Sequence, residues 1–147
     1  MKGSYLLLIE LPERQVLNVG SLGAINFPVG YYVYVGSALG GFKSRLNRHL
    51  RKDKQPKWHI DYLLQEASLE SIIICETAER VECAIAQALN SRLKTIPRFG
   101  SSDCNCPGHL FFDSSRKLIA EGSLAVMKSL SLDVRSFDAK TYRDVEA

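Results

Sequence analysis

The run Gly30-Tyr31-Tyr32-Val33-Tyr34-Val35-Gly36-Ser37-Ala38 passes directly into Leu39-Gly40-Gly41-Phe42-Lys43-Ser44-Arg45-Leu46-Asn47-Arg48-His49-Leu50, and the apolar pattern changes period between the two. The first half sets aromatic and β-branched side chains between glycines, the composition of a pleated strand that ends where the backbone must turn. In the second half Phe42, Leu46 and Leu50 recur every four residues, one stripe of a helix. The pattern predicts a strand, then a helix starting after Gly40-Gly41. On that helix Arg45 and His49 are also four apart and share a face, while Tyr34 lies toward the end of the strand that feeds it. A phenol, a guanidinium and an imidazole are thereby gathered at one strand-to-helix corner.

At 147 residues, with 46% apolar and 24% charged residues, the chain has the size and balance of one soluble domain. Apolar runs such as residues 6–9 are too short to cross a bilayer, and the N-terminus has no leader pattern, so neither membrane nor export is expected. Four cysteines, Cys75, Cys83, Cys104 and Cys106, do not make a disulfide framework, and the expected setting is a reducing cytoplasm. The net charge of +3 permits nucleic-acid binding without demanding it. Its distribution says more: from residue 43 to residue 57 there are seven Lys or Arg and a single acid, Asp53. Lys43, Arg48, Arg51 and Lys52, with His59 just beyond, are the candidate nucleic-acid contacts.

In chain order, residues 3–11 are apolar on both faces, the mark of a central strand. Residues 15–19 and 24–27, around Gly20-Ser21-Leu22-Gly23, suit a more exposed hairpin. A charged, Pro-containing loop at 51–57 leads to an expected helix over 58–66, a strand within 68–76 and a helix over 79–93 that Pro97 stops. A polar, structured loop over 98–109, a short strand at 110–112 and a helix over 118–130 interrupted by Gly122 complete the pattern. The expected fold is α+β, with a small antiparallel β-sheet flanked by helices in one domain over residues 1–132. Residues 133–147 are polar and unpatterned, and are expected as a loosely held tail.

Several groupings carry chemistry. Tyr5, Tyr34 and Arg45 fit attack by water on a phosphodiester, which needs a proton acceptor and a fixed cation; a planar guanidinium can hold two phosphate oxygens. A tyrosine serves as base only where a cation or metal lowers its pKa from about 10. The same three residues also fit half-buried packing rings and a solvated helix charge. Glu82, beside an apolar stripe at Val81, Ile85 and Leu89, offers one carboxylate for Mg²⁺ with waters as the other ligands, or a solvated surface acid. Cys104, Cys106 and His109, with Asp103 beside them and Cys83 on the preceding helix, offer donors for Zn²⁺ at irregular spacing, or free thiols lining a turn. His59 and Asp61 are two apart and would not face each other on a helix, which leaves His59 to reach a phosphate or cap a neighbouring element.

Together these residues resemble the GIY-YIG endonuclease superfamily, and within it a small branch of prokaryotic stand-alone domains. The first tyrosine motif of that family is similar to Gly3-Ser4-Tyr5, the second to Tyr34-Val35-Gly36, the helix arginine to Arg45, the histidine one turn on to His49, and the metal-binding glutamate to Glu82. The branch signals are similar to residues 30–38, to Trp58-His59-Ile60-Asp61, to Glu82-Cys83, and to Phe99-Gly100-Ser101-Ser102-Asp103-Cys104-Asn105-Cys106 with His109-Leu110-Phe111. The resemblance covers residues 3–112. It departs from the family where residues 12–28 are inserted as an extra hairpin between the tyrosine motifs, where Ser4 replaces an apolar residue, and where residues 99–106 replace a terminal asparagine.

The resemblance implies three antiparallel strands flanked by helices and hydrolysis of DNA dependent on Mg²⁺ or Mn²⁺, in repair or recombination. Glu82 would hold the metal on the leaving oxygen, Tyr5 or Tyr34 would orient or deprotonate the water, Arg45 would offset charge in the transition state, and His49 would complete the site. DNA is the implied partner; a repair-protein partner and the oligomeric state are left open. The alternatives are a non-catalytic nucleic-acid-binding module with the same basic corner, and a zinc-stabilised interaction domain built on Cys83, Cys104, Cys106 and His109.

Overall fold

Strand β1 (Gly3–Leu11) is paired along both edges, antiparallel to β4 (Gly30–Ala38) on one side and to β5 (Ser68–Glu76) on the other. The computed structural model describes residues 2–51, 53–101 and 104–146, with side chains to residue 142; Lys52, Ser102 and Asp103 lie outside the described residues. The main sheet has six strands, all antiparallel, in the order β6 (Lys94–Ile96), β7 (Leu110–Asp113), β4, β1, β5, β8 (Arg135–Asp138). The hairpin expected between the tyrosine motifs forms a separate two-stranded sheet, β2 (Gln15–Asn18) and β3 (Ala24–Phe27), joined through a 3₁₀ turn at Gly20–Leu22.

The apolar run of β1 serves two cores because alternate side chains leave opposite faces of the sheet. Tyr5, Leu7, Ile9 and Leu11 pack with Phe42 and Leu46 of α1 (Phe42–Leu50), Ile60 and Leu63 of α2 (His59–Leu64), Phe27 of the hairpin and Tyr142 of α5 (Ala139–Glu146). Leu6 and Leu8 pack with Val33, Val35 and Ile73 against Ile85 and Leu89 of α3 (Glu82–Asn90) and Val126 and Met127 of α4 (Arg116–Ser129). Each fully buried Leu, Ile or Val contributes roughly 1.5–3 kcal/mol. A strand sandwiched between helical layers has no wet face, hence its lack of alternation.

The sheet is wider than the three strands that the resemblance implies, and within the stretch expected as a loose tail residues 135–146 form a strand and a helix. Residues 135–138 pair with Ser71–Ile74 of β5 as an edge strand, and the Phe137 ring packs edge-to-face with Tyr142 of α5, centroids 5.9 Å apart. An edge strand makes one ladder and can stay largely polar, so its sequence carries little signal. The three-residue β6 was not expected at all. Helix α4 starts at Arg116 because the Ser115 hydroxyl accepts from the Leu118 amide at 3.2 Å, and it runs unbroken through Gly122. Helices α2 and α3 are shorter than expected at both ends. Among the described residues no helix is long and apolar enough to cross a membrane.

One close approach shapes the centre of the sheet. Tyr5 lies opposite Gly36, and a Cβ at Gly36 would overlap the Tyr5 ring. Gly36→Ala is therefore expected to cost about 1–3 kcal/mol, as overpacking of a close-packed site does, and to lower the denaturation midpoint. An unchanged midpoint would contradict the placement of the Tyr5 ring over this glycine.

Candidate functional site

The β1–β4 register sets two phenols on one face: Tyr5 opposite Gly36, and Tyr34 opposite Leu7, diagonal neighbours across the ladder. The chain then turns at Gly41, whose φ of 119° lies where L side chains are rarely found, and α1 returns over that face. The turn brings His49 Nε2 to 2.6 Å from the Tyr5 hydroxyl, and Arg45 Nη1 donates to the Ser37 carbonyl at 2.9 Å. Glu82 enters from the first turn of α3. Tyr5, Tyr34, Arg45, His49 and Glu82 all line one cavity of about 570 Å³. The structure thus brings together the five residues that the sequence singles out from four elements.

Burial sets the protonation of this group. It pushes the Tyr5 phenol well above its ordinary value, helped by the neighbouring Tyr34 and opposed by Arg45. It raises Tyr34 as well, Glu82 adding to the shift and Arg45 again opposing it. Burial pushes the His49 imidazole down to about 3, although Asp61 pulls the other way. The resting state at neutral pH is therefore two protonated phenols beside a neutral imidazole. The Nδ1 atom of His49 is buried with no hydrogen-bond partner among the described residues.

The basic residues divide. Lys43 and Arg51 are exposed, and Lys43 borders a neighbouring groove with Phe137 and Tyr142 instead of the cavity. Arg48 turns inward: its guanidinium donates to Asp61 Oδ2 at 2.7 Å and to the Gln55 carbonyl at 3.2 Å. The amides of Lys57 and Trp58 also donate to Asp61 Oδ2, at 2.8 and 3.0 Å. Burial would raise the Asp61 carboxyl, but these amides and Arg48 hold it below its ordinary value. Arg48 is thus a strut between α1 and α2. His59 lines the cavity and accepts from the Gly100 amide at 2.8 Å, which ties α2 to the 98–109 loop.

Among the cavity residues that the sequence does not single out as site members are Trp58, Lys57 and Arg80. Trp58 carries Arg45 at 4.4 Å and Arg48 at 4.7 Å over its ring, so it holds the guanidinium that faces the cavity. Its position in the Trp58-His59-Ile60-Asp61 motif was the available signal. Arg80 has none beyond its closeness to Glu82 in sequence.

On the wall of the same cavity, Cys83 of α3 meets Cys104, Cys106 and His109 of the loop, with ligating atoms all within 4.8 Å of one another. This Cys₃His cluster could hold a metal ion. Cys104 Sγ lies 3.4 Å from His109 Nε2. Burial and the neighbouring thiols push Cys106 up to about 12, and burial raises Cys83. Sulfurs crowded in this way resist becoming thiolates unless a cation sits among them. The loop reaches the cluster through a left-handed Arg98, φ 62°, and backbone bonds from Arg98 to Pro107 at 2.6 Å and from His109 to Phe99 at 2.7 Å.

Fold and site define a three-layer α+β domain with a phenol, imidazole, guanidinium and carboxylate cavity beside a thiol-rich cluster. The chain belongs to the family described as domain of unknown function DUF123, whose model matches residues 4–132; β8 and α5 fall beyond that match. No curated protein and no solved structure matches it.

The depressed His49 has a thermodynamic consequence. Its pKa is about 3 in the fold against an ordinary 6.5, so below pH about 6.5 the unfolded chain binds the proton more tightly. Stability from neutral His49 is fully present above about pH 6.5 and is lost toward pH 3, by up to about 1.4 kcal/mol per pH unit. His59 and His109, also lowered by burial, act with the same sign. Denaturation midpoints from pH 7 to pH 4 should fall, and His49→Gln should flatten that slope.

Proposed function

We propose that this protein is a divalent-metal-dependent endonuclease that hydrolyses a DNA phosphodiester bond, as the resemblance to GIY-YIG enzymes implies. The observation that carries the reading is the convergence of Tyr5, Tyr34, Arg45, His49 and Glu82 on one cavity. Arg45, Lys57 and Arg80 supply positive charge to its lining, and Glu82 is the one carboxylate among the described residues there. Such a balance suits a polyanion accompanied by a single hard cation.

The Glu82 side chain is 29% exposed, so water oxygens can complete the coordination of Mg²⁺ or Mn²⁺ held there. The ion would supply a Lewis acid at the leaving oxygen. The chain's own groups do the rest. Arg45, fixed by the Ser37 carbonyl and the Trp58 ring, offsets charge developing on the phosphoryl oxygens. Tyr34 orients the attacking water; Tyr5 takes its proton while passing its own to Nε2 of His49. The water oxygen bonds to phosphorus as the bond to the leaving oxygen breaks. This relay needs no phenolate in advance, which the raised phenol pKa values would oppose.

The Cys₃His cluster takes a different ion in this reading. Three sulfurs and an imidazole form the soft, closed donor set of structural Zn²⁺, unlike the oxygens that Mg²⁺ requires. A place in DNA repair or recombination, in the cytoplasm, rests on the resemblance and on the reducing setting that free cysteines fit.

Incubation with branched, nicked and linear DNA, with and without Mg²⁺, tests the reading. Cutting should require the metal, and Glu82→Ala should abolish it while sparing binding. Tyr5→Phe should lose about 10²-fold in rate and Arg45→Ala about 10²–10³-fold. One observation favours the rival binding module: Tyr5 is only 1% exposed. Tight binding of all three DNAs by the wild type, with no cutting in Mg²⁺ or Mn²⁺, would establish that module instead.

A further inference from the structure

His109 stands between the two donor sets. Its side chain is 1% exposed, Nε2 faces Cys104 Sγ at 3.4 Å, and Nδ1 faces Glu82 Oε1 at 3.8 Å. The ring has little freedom to turn because it is buried, and its backbone is held by an amide donating to the Phe99 carbonyl at 2.7 Å and a carbonyl accepting from Val35 at 2.9 Å. Tetrahedral zinc, with bonds of about 2.3 Å to sulfur, sets ligand atoms about 3.8 Å apart. Closing the cluster from the observed 4.8 Å limit therefore needs a contraction of at most about 1 Å.

We propose that Zn²⁺ bound by Cys83, Cys104, Cys106 and His109 sets the position of the Glu82 carboxylate through His109, and so governs how well the cavity takes up its own divalent ion. The inference rests on the assignment of Mg²⁺ or Mn²⁺ to Glu82. Once Nε2 is a zinc ligand, the ring's one remaining proton must sit on Nδ1, which then donates toward Glu82 Oε1. Carboxylate, imidazole and metal in line are a recurring arrangement, and it orients the carboxylate as firmly as the ring. Cys83 adds a second tie, since it follows Glu82 in the first turn of α3 and fixes that backbone to the same ion. His109 is thus a positioning residue, one that acts through Glu82. The 98–109 loop, which also holds His59 through Gly100, is clamped by the same centre.

The test uses the full chain and reads metal binding rather than cleavage. Metal analysis of purified protein should give one zinc per chain. Replacing it with Co²⁺ should give thiolate-to-metal absorption and the visible bands of a tetrahedral site. Mn²⁺ binding, followed by calorimetry and by loss of its free-ion resonance, should show one further site that Glu82→Gln removes without loss of zinc. His109→Cys supplies a fourth sulfur, so it should keep zinc; without the Nδ1 donor it should bind Mn²⁺ about 10–100-fold more weakly. Should that variant not fold, the Co²⁺ spectrum of Glu82→Gln is the second measurement: its visible bands should shift, because a neutral amide replaces the carboxylate as the acceptor facing His109 Nδ1.

Wild-type protein that neither holds zinc nor takes up Zn²⁺ or Co²⁺ would overturn the inference at its root. Wild-type Mn²⁺ affinity in zinc-loaded His109→Cys, or an unmoved Co²⁺ spectrum in Glu82→Gln, would overturn the link through His109 alone. Zinc-loaded wild type that binds no Mn²⁺ would instead remove the metal assignment at Glu82, and this inference with it.

Discussion

The antiparallel ladder between β1 and β4, in the register that sets the Tyr5 ring over Gly36, is the contact on which the rest of the site depends. A side chain at residue 36 would push the ring away from the sheet, and the ring's hydroxyl is what meets His49 at 2.6 Å. That bond reaches from the central strand to the last turn of α1. Because β1 is also the strand that both cores grip, the phenol is fixed from below by packing and from above by the imidazole. A register slip of one residue would turn Tyr5 into the opposite core and take the site apart; because β1 is largely apolar on both faces, the fit of the Tyr5 ring over Gly36 is what opposes it.

Burial at this contact protonates the phenols and deprotonates the imidazole, a direction opposite to that of a free phenolate base. The same desolvation that strengthens the Tyr5–His49 bond makes each partner's ionised form costly. A relay in which charge moves only during the reaction is the arrangement such a dry pair permits, and Arg45 is the nearby cation that opposes the rise in both tyrosines. The Trp58 ring and the Ser37 carbonyl keep that guanidinium in place without neutralising it.

Much of this was legible in the sequence where the signal is local. The largely apolar stretch 3–11, apolar on both faces, announces a central strand, and the change of period at Gly40-Gly41 places Arg45 and His49 on one face beside Tyr34. The hairpin followed from its turn formers. Edge elements were not legible: β8 offers Phe137 alone as an inward apolar residue, and β6 is three residues long. Nor could the run of cations reveal which one turns inward. Arg48 does so because Asp61, thirteen positions away, is buried and needs the guanidinium as well as two amides. Residue type named Glu82 as a metal candidate, but only folding puts it across the cavity from the α1 corner.

The pairing Glu82-Cys83 condenses two kinds of metal chemistry into adjacent positions. On the first turn of a helix, successive side chains diverge by about 100°, so the carboxylate can face the cavity while the thiol faces Cys104, Cys106 and His109. Hard oxygen and soft sulfur donors are thereby separated by direction with almost no separation in sequence, and an ion suited to one set is poorly served by the other. The 98–109 loop supplies what the helix lacks. Its described residues form no helix or strand, yet its backbone is bonded at Arg98, Phe99 and His109, and its side chains close the thiol set. An irregular loop buried against a cavity is stable only when its polar groups find such partners. Gly100 meets this requirement by donating to His59, and His109 meets it at Nε2, 3.4 Å from Cys104 Sγ, while its Nδ1 lies 3.8 Å from Glu82 Oε1, so the ring stands between the two sides.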